Sequence, residues 1–532
     1  MKSFLAWGFA ATLLAITTTV STAQNATATE AGGANSTEQV VMDRCGPRIR
    51  KPWEMLLPLE KEIYLRAIAR SMDDGYYIKF VEIHTEQMTA MEAHRTCMFV
   101  YWHRLLLLGF ENMLRSYGGE FSCITVPYWN YVDDNERYLT GMCRSMEECS
   151  LILQELGGSR NGFPSTVVIN GSPISGTCVA TPPLNHFCEA SRLQGGRCAQ
   201  CVPRGNWATA AFPPTTTVSS LVRQLFSTPT IGGVVSNLET GIHNTIHNAL
   251  SGAMGVLEAP ADPIFFSHHA SIDLLHSIFY KCMVGNTVPI PLEQKLSDPR
   301  VFTSCPRRQS LEANVIDRNV LLPQSDVMLR SGESGMYPSS VFERHNELVP
   351  FFASLPSEYL SFSDIRDLGV FSYNYEMTGL LANMFTTCPG AGLGVGPSIA
   401  GVGGPFRNLA EGNSSTEAKS GFLEAVIVPT KNATSAWYTE ALAAAANSSS
   451  TESDAPKSSL EVFEDVEKMT CVFYDECRGG VQDYSDNFRN SFNMEGSTPC
   501  STILDNINSG RDHIKTPNWR SIFLRHMKCD RS

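Results

Sequence analysis

The chain has 532 residues, 43% of them hydrophobic and 18% charged, and a formal net charge of -13. This composition is that of a globular protein with a substantial core, long enough for one large domain or a few ordinary ones. The acidic balance argues against nucleic acid or an anionic membrane surface as partner.

Lys2, the apolar run from Phe4 to Ile16 and the small residues Ser21-Thr22-Ala23 read as a secretory signal peptide over residues 1–23. That run is too short to span a membrane, and no later stretch reaches the necessary apolar length, so no membrane association is expected. The 16 cysteines all follow Ala23 and fit disulfides formed in an oxidising, extracellular compartment. Sequons at Asn25, Asn35, Asn170, Asn413, Asn432 and Asn447 agree with a secreted glycoprotein. Residues 24–44, small and polar, read as a flexible glycosylated arm, with order beginning near Cys45.

From Pro58 to Met72 the apolar residues Leu59, Ile63, Tyr64, Ala67 and Ile68 recur at helical spacing, and Asp73-Asp74-Gly75 ends the run. A shorter helix from about Tyr76 carries His84 near its end. His94 and His103 would lie on opposite faces of one continuous helix, so they share a metal only if the chain turns between them. His94 is therefore placed in a loop, and His103 at the head of a helix running to about Tyr117. Between Cys123 and Pro214 the chain is rich in Cys, Gly, Pro and Asn and reads as a cross-linked loop layer. The pair Cys198 and Cys201 is better explained by disulfides than by zinc or redox chemistry in a chain with so many cysteines.

Residues 216–230 read as helix. His243 and His247, four apart, stack on one helical face. Asp262-Pro263 then opens a second helix, with Asp as cap and Pro in its first turn, that carries His268 and His269. Imidazoles converging from two helices make a metal site, but ligation by imidazole alone suits copper, zinc, iron or nickel alike. Pro289 to about Asn383 holds short apolar runs separated by turn signals, consistent with short strands. Residues 386–460, with the Gly-rich stretch Gly390–Gly404 and the Ala/Ser stretch Ala441–Ser459, read as linker, and 461–532 as a small Cys-containing module.

Two stretches resemble the tyrosinase family of type 3 binuclear copper oxidases. One comprises His94, Phe99, Val100, Trp102, His103, Arg104, Leu107 and Glu111; the other comprises Asp262, Pro263, Phe265, Phe266, His269 and Asp273. The resemblance covers roughly Cys45 to Tyr375 and implies a mainly α fold. A four-helix bundle would hold a dicopper centre within a copper-binding domain at 45–385, wrapped in disulfide-rich loops with few short strands. It implies His84, His94 and His103 as ligands of one copper and His243, His247 and His269 as ligands of the other, with His269 preferred to His268 by its place four residues before Asp273. It implies small phenols and dioxygen as reactants: ortho-hydroxylation of monophenols and oxidation of o-diphenols to o-quinones. The alternatives are a catechol oxidase confined to the second step or a haemocyanin-like oxygen carrier. Asn244 and Glu239 occupy places that in tyrosinases are thought to orient a water that takes the phenol proton. Glu92 stands where several members carry a cysteine joined to an imidazole, so no such bond forms here. The resemblance also implies that residues from Cys388 onward cover the site.

Overall fold

The computed structural model describes residues 45–191, 197–285, 288–308, 320–332, 337–389, 422–430, 434–448 and 458–530. The expected signal and arm (1–23, 24–44), the Gly-rich stretch 390–404 and the sequons at Asn25, Asn35, Asn413 and Asn432 lie outside them.

The first expected helix forms at Pro58–Asp73, with Pro in its opening turn and the Glu60 carboxylate accepting the Leu57 backbone N–H at 2.7 Å. Its Tyr64, Ala67, Ile68 and Met72 face the core, as the spacing requires. Four helices then build the centre: α1 (Tyr77–Thr85), α2 (Phe99–Arg115), α3 (Asn244–Leu250) and α4 (Ile264–Met283). In α2 every residue except Asn112 is buried, so this helix is enclosed on all sides. Phe110 of α2 stacks on Phe266 of α4 with ring centroids 3.5 Å apart, and Gly109 leaves room for the Phe352 ring. The bundle is thus tightest where two histidine-bearing helices cross.

A buried charge network lies behind that crossing. Glu111 of α2 takes Arg50 at 3.2 Å and Arg48 at 3.3 Å. Asp273 of α4 takes Arg104 at 2.6 Å, Arg50 at 3.3 Å, and hydrogen bonds from the hydroxyls of Tyr373 and Tyr375 at 2.6 and 2.5 Å. The arginines hold both carboxyls below their ordinary range despite the desolvation that would raise them. Removing one partner would strand a buried charge, a loss of roughly 3–5 kcal/mol. Strand Arg48–Arg50 pairs in parallel with Tyr373–Met377, which brings both ends of the expected 45–385 domain to this network.

All 16 cysteines form eight disulfides, consistent with the expected chemistry. Cys198 and Cys201 pair with Cys188 and Cys178, not with each other. The strands are few and short; the longest, Gly162–Ile169 and Ser172–Val179, form a hairpin turning at Asn170. Residues Ala436–Asn447, expected as linker, form a helix because Trp437, Tyr438, Ala441 and Ala445 share one buried face. That helix and Ser459–Cys477 join the main core, where buried Glu467 accepts from Ser220 at 3.1 Å and pairs with Arg223. No helix among the described residues is long and apolar enough to cross a membrane.

Candidate metal centre

The turn that the spacing of His94 and His103 demands is present. After α1 comes a short helix, Gln87–Ala93, that the sequence did not announce; Glu86 caps it by accepting the Thr89 N–H at 3.0 Å. The chain then leaves helical geometry at His94, Arg95 adopts a left-handed φ of 58°, and α2 begins at Phe99. His84 near the end of α1, His94 at the turn and His103 in the second turn of α2 come together as one buried triad. The second group forms where a π-helical segment, Glu239–His243, kinks at Gly241 and runs into α3. The Cβ that Gly241 lacks would lie 2.3 Å from the Gln224 amide oxygen, so the close approach requires glycine.

Six histidines were expected as ligands, and all six are buried in one place. His94 and His243 approach with ring centroids 6.3 Å apart, and His103 stacks on His269 at 4.1 Å. The second triad in mutual reach is His243, His247 and His268. His269, the expected third ligand, lies between the two sets, 5.0 Å from His243 and 5.7 Å from His247 by ring centroids. Both neighbours on α4 therefore adjoin the second set. His276 sits apart from it, its Nδ1 held by Arg104 at 2.8 Å.

Ring orientation is set by the backbone. The Nδ1 of His84 faces the Leu257 carbonyl at 2.6 Å, that of His94 the Ala90 carbonyl at 3.0 Å, that of His103 the Phe99 carbonyl at 2.8 Å, and that of His247 the Met254 carbonyl at 2.6 Å. The Nδ1 of His243 faces the Asn244 side-chain oxygen at 2.8 Å. A carbonyl accepts, so each of these Nδ1 atoms carries the proton and each Nε2 keeps a free lone pair. Those five Nε2 atoms are buried and without a protein partner, as are both ring nitrogens of His268 and His269. Burial holds the rings neutral: His84 is pushed down to about 3, His247 to about 4, and His94, His103, His243, His268 and His269 also well below the ordinary range. Orphaned lone pairs on neutral imidazoles, with the other nitrogen tied back, form a ligand set for a borderline transition metal. The triads contain no oxygen donor, which disfavours calcium or magnesium.

The surroundings are aromatic. Phe265 lies 4.3 Å from His269 and 5.1 Å from His84, and Phe99 lies 4.6 Å from His103 and 4.7 Å from His243, as ring centroids. Glu92 takes the Tyr359 hydroxyl at 2.6 Å, the Met328 N–H at 2.8 Å and Arg307 at 2.8 Å. Cys97 is bonded to Cys305. These two anchors hold the His94 turn. Glu239 is buried and raised to about 8 by desolvation, and it accepts the Arg95 backbone N–H at 2.6 Å. Above the centre lies a segment that sequence reasoning left unassigned in detail: α5 (Asp486–Phe492). Its Phe492 ring stands 5.5 Å from His94 and 5.9 Å from His247, and the Met494 sulfur accepts from the Asn244 amide at 3.6 Å. Nothing local in the sequence marks Phe492, because its role exists only through packing against distant helices.

A helical bundle with two adjoining imidazole clusters is a scaffold that could hold a pair of metal ions. The profile of the common central domain of tyrosinase matches residues 74–281, which include every one of these histidines. Over that region the chain is similar to the tyrosinase family. It is 27% identical over 234 residues to a tyrosinase of Oryzias latipes, covering 39% of this chain and 40% of that one. It is 27% identical over 257 residues to a tyrosinase-like protein of Pinctada maxima, covering 44% and 53% respectively. A mutant polyphenol oxidase of Thermothelomyces thermophila, a solved structure, overlaps 49% of this chain and 80% of its own at 19% identity and a TM-score of 0.31. The chain thus spans about half or less of the length of these two curated relatives.

Proposed function

We propose that this chain is a secreted tyrosinase: with two coppers it uses dioxygen to hydroxylate monophenols ortho to their hydroxyl and to oxidise o-diphenols to o-quinones. The observation that carries this reading is the set of orphaned, buried ring nitrogens whose opposite nitrogens are tied back. His84, His94 and His103 would hold one copper; His243, His247 and His269 would hold the other. Copper so bound supplies the dioxygen chemistry. The chain's own residues do the rest. Phe99 and Phe265 wall the centre with apolar rings and exclude water from it. Asn244 holds the His243 ring through its amide oxygen, and its amide nitrogen and the Glu239 carboxyl are the groups available to orient a water that takes the phenol proton. Eight disulfides suit an extracellular protein.

The test is the copper-loaded full chain given L-tyrosine and L-DOPA, with quinone formation and oxygen uptake both followed. Turnover of both supports the reading, whereas oxidation of L-DOPA with no hydroxylation of any monophenol leaves a catechol oxidase. Reversible oxygen uptake without quinone would leave an oxygen carrier.

A further inference from the structure

Three features beside the centre bear on which phenol it takes. The first is an aromatic ring already seated there: Phe492 lies against one histidine of each cluster, His94 and His247. A six-membered ring therefore fits across the pair. The second is what meets the chain beyond that ring. The exposed Arg95 guanidinium donates to the backbone carbonyl of Asn493, the residue next to Phe492. The third is the charge around Arg95. Arg308, half-buried, donates to the His94 carbonyl at 2.8 Å, and its guanidinium is close enough to Arg95 for the two to repel. The carboxyl facing both is Glu239, buried and raised to about 8 by desolvation. Arg307, by contrast, is neutralised by Glu92 at 2.8 Å. Two guanidiniums sharing one desolvated carboxyl form a cationic edge on a chain whose net charge is -13.

Building on the oxidase reading above, we propose that Arg95, backed by Arg308, is a specificity-determining residue that binds the carboxylate of phenols bearing an acid group on a short side chain. The substrate ring takes the place of Phe492, and its carboxylate takes the Arg95 donors that Asn493 now accepts from. A guanidinium offers a carboxylate paired, charge-assisted hydrogen bonds that a carbonyl cannot match.

The experiment uses the copper-loaded full chain carrying Phe492→Ala, given 3-(3,4-dihydroxyphenyl)propanoate, 4-methylcatechol and dopamine. Expected is a kcat/KM order of acid, neutral, amine. Arg95→Gln should lower the acid-to-neutral ratio by about tenfold, chiefly through KM, and Arg95→Lys should restore part of it. Calorimetry with the unreactive 3-phenylpropanoate supplies a readout independent of turnover: its affinity should fall by a similar factor in Arg95→Gln. Equal kcat/KM for the acid and neutral catechols together with unchanged 3-phenylpropanoate binding overturns the proposal. If none of the three catechols is oxidised, the oxidase reading fails, and the calorimetry alone decides the role of Arg95.

Discussion

Five of the six histidines proposed as ligands, all but His269, lean on a partner that is not a ligand. A carbonyl at the Nδ1 of His84, His94, His103 and His247 chooses the tautomer and aims the other nitrogen inward, so the backbone positions the lone pairs before any metal arrives. The residue whose role is least settled by geometry is the third imidazole of the second cluster, since His268 and His269 both leave two nitrogens without protein partners. On the assignment proposed here, His269→Ala should lower bound copper by about half, while His268→Ala should keep nearly the full amount. Metal analysis of the purified variants checks this, and the reverse pattern would transfer the ligand role to His268. Glu239 and Asn244 act at the same scale. Glu239→Gln should slow monophenol hydroxylation by roughly 10²-fold while costing diphenol oxidation far less, because a monophenol, less acidic than a catechol, depends more on assisted loss of its hydroxyl proton. Steady-state rates on L-tyrosine and L-DOPA give the ratio; an equal loss on both would assign Glu239 to holding the Arg95 turn.

At the scale of elements, α5 is the segment whose placement matters most. Its Phe492 stands where a substrate ring would stand, and Tyr484, Phe488 and Phe492 pack into a small cluster of their own with Leu257 and Met494. Phe492→Ala in the full chain should therefore raise the rate on L-DOPA several-fold through a lower KM. An unchanged KM would mean the segment moves aside without hindrance. Helix crossing makes a separate demand at Gly109, where an added Cβ would lie 2.0 Å from the Phe352 ring. Gly109→Ala should cost about 1–3 kcal/mol of stability, measured by denaturant unfolding, since a well-packed crossing has nowhere to put a methyl group. Much of this architecture was legible beforehand. The helix at Pro58–Asp73 and the i, i+4 pair His243 and His247 follow from local periodicity, and the turn between His94 and His103 from the condition that both reach one metal. What stayed hidden depends on contacts between residues far apart in the chain. Gln87–Ala93 is too short to carry a period, the helix at Ala436–Asn447 hides in an alanine-rich run, and the pairing of Cys97 with Cys305 spans 208 residues. Phe492 belongs with these, because its partners lie on helices hundreds of residues away in the chain.

For the molecule as a whole, the centre that would bind metal is also a store of acid sensitivity. Eight histidines (His84, His94, His103, His243, His247, His268, His269 and His276) are buried with their pKa values depressed, mainly by desolvation. In the unfolded chain each titrates near 6.5, so below that pH the unfolded state binds protons that the native state refuses, and stability falls as pH falls. Buried carboxyls act in the opposite sense. Asp133, raised to about 6, and Asp134 and Glu239, both raised to about 8, keep protons in the native state that the unfolded chain releases, so their contribution improves on acidification. Eight imidazoles outnumber these three strongly shifted carboxyls, and the histidine effect sets the net slope between about pH 6.5 and 5. The copper-free protein should accordingly lose thermal stability steadily from pH 7 to pH 5, as circular dichroism melts would record. Copper loading should raise the melting temperature most at pH 7, where the rings are neutral in both states, and progressively less as protons compete for the same Nε2 lone pairs. A melting temperature that is flat or rising over that interval, with or without metal, would mean the imidazoles are already protonated or solvated in the native state, and the buried cluster of neutral rings would not survive that result.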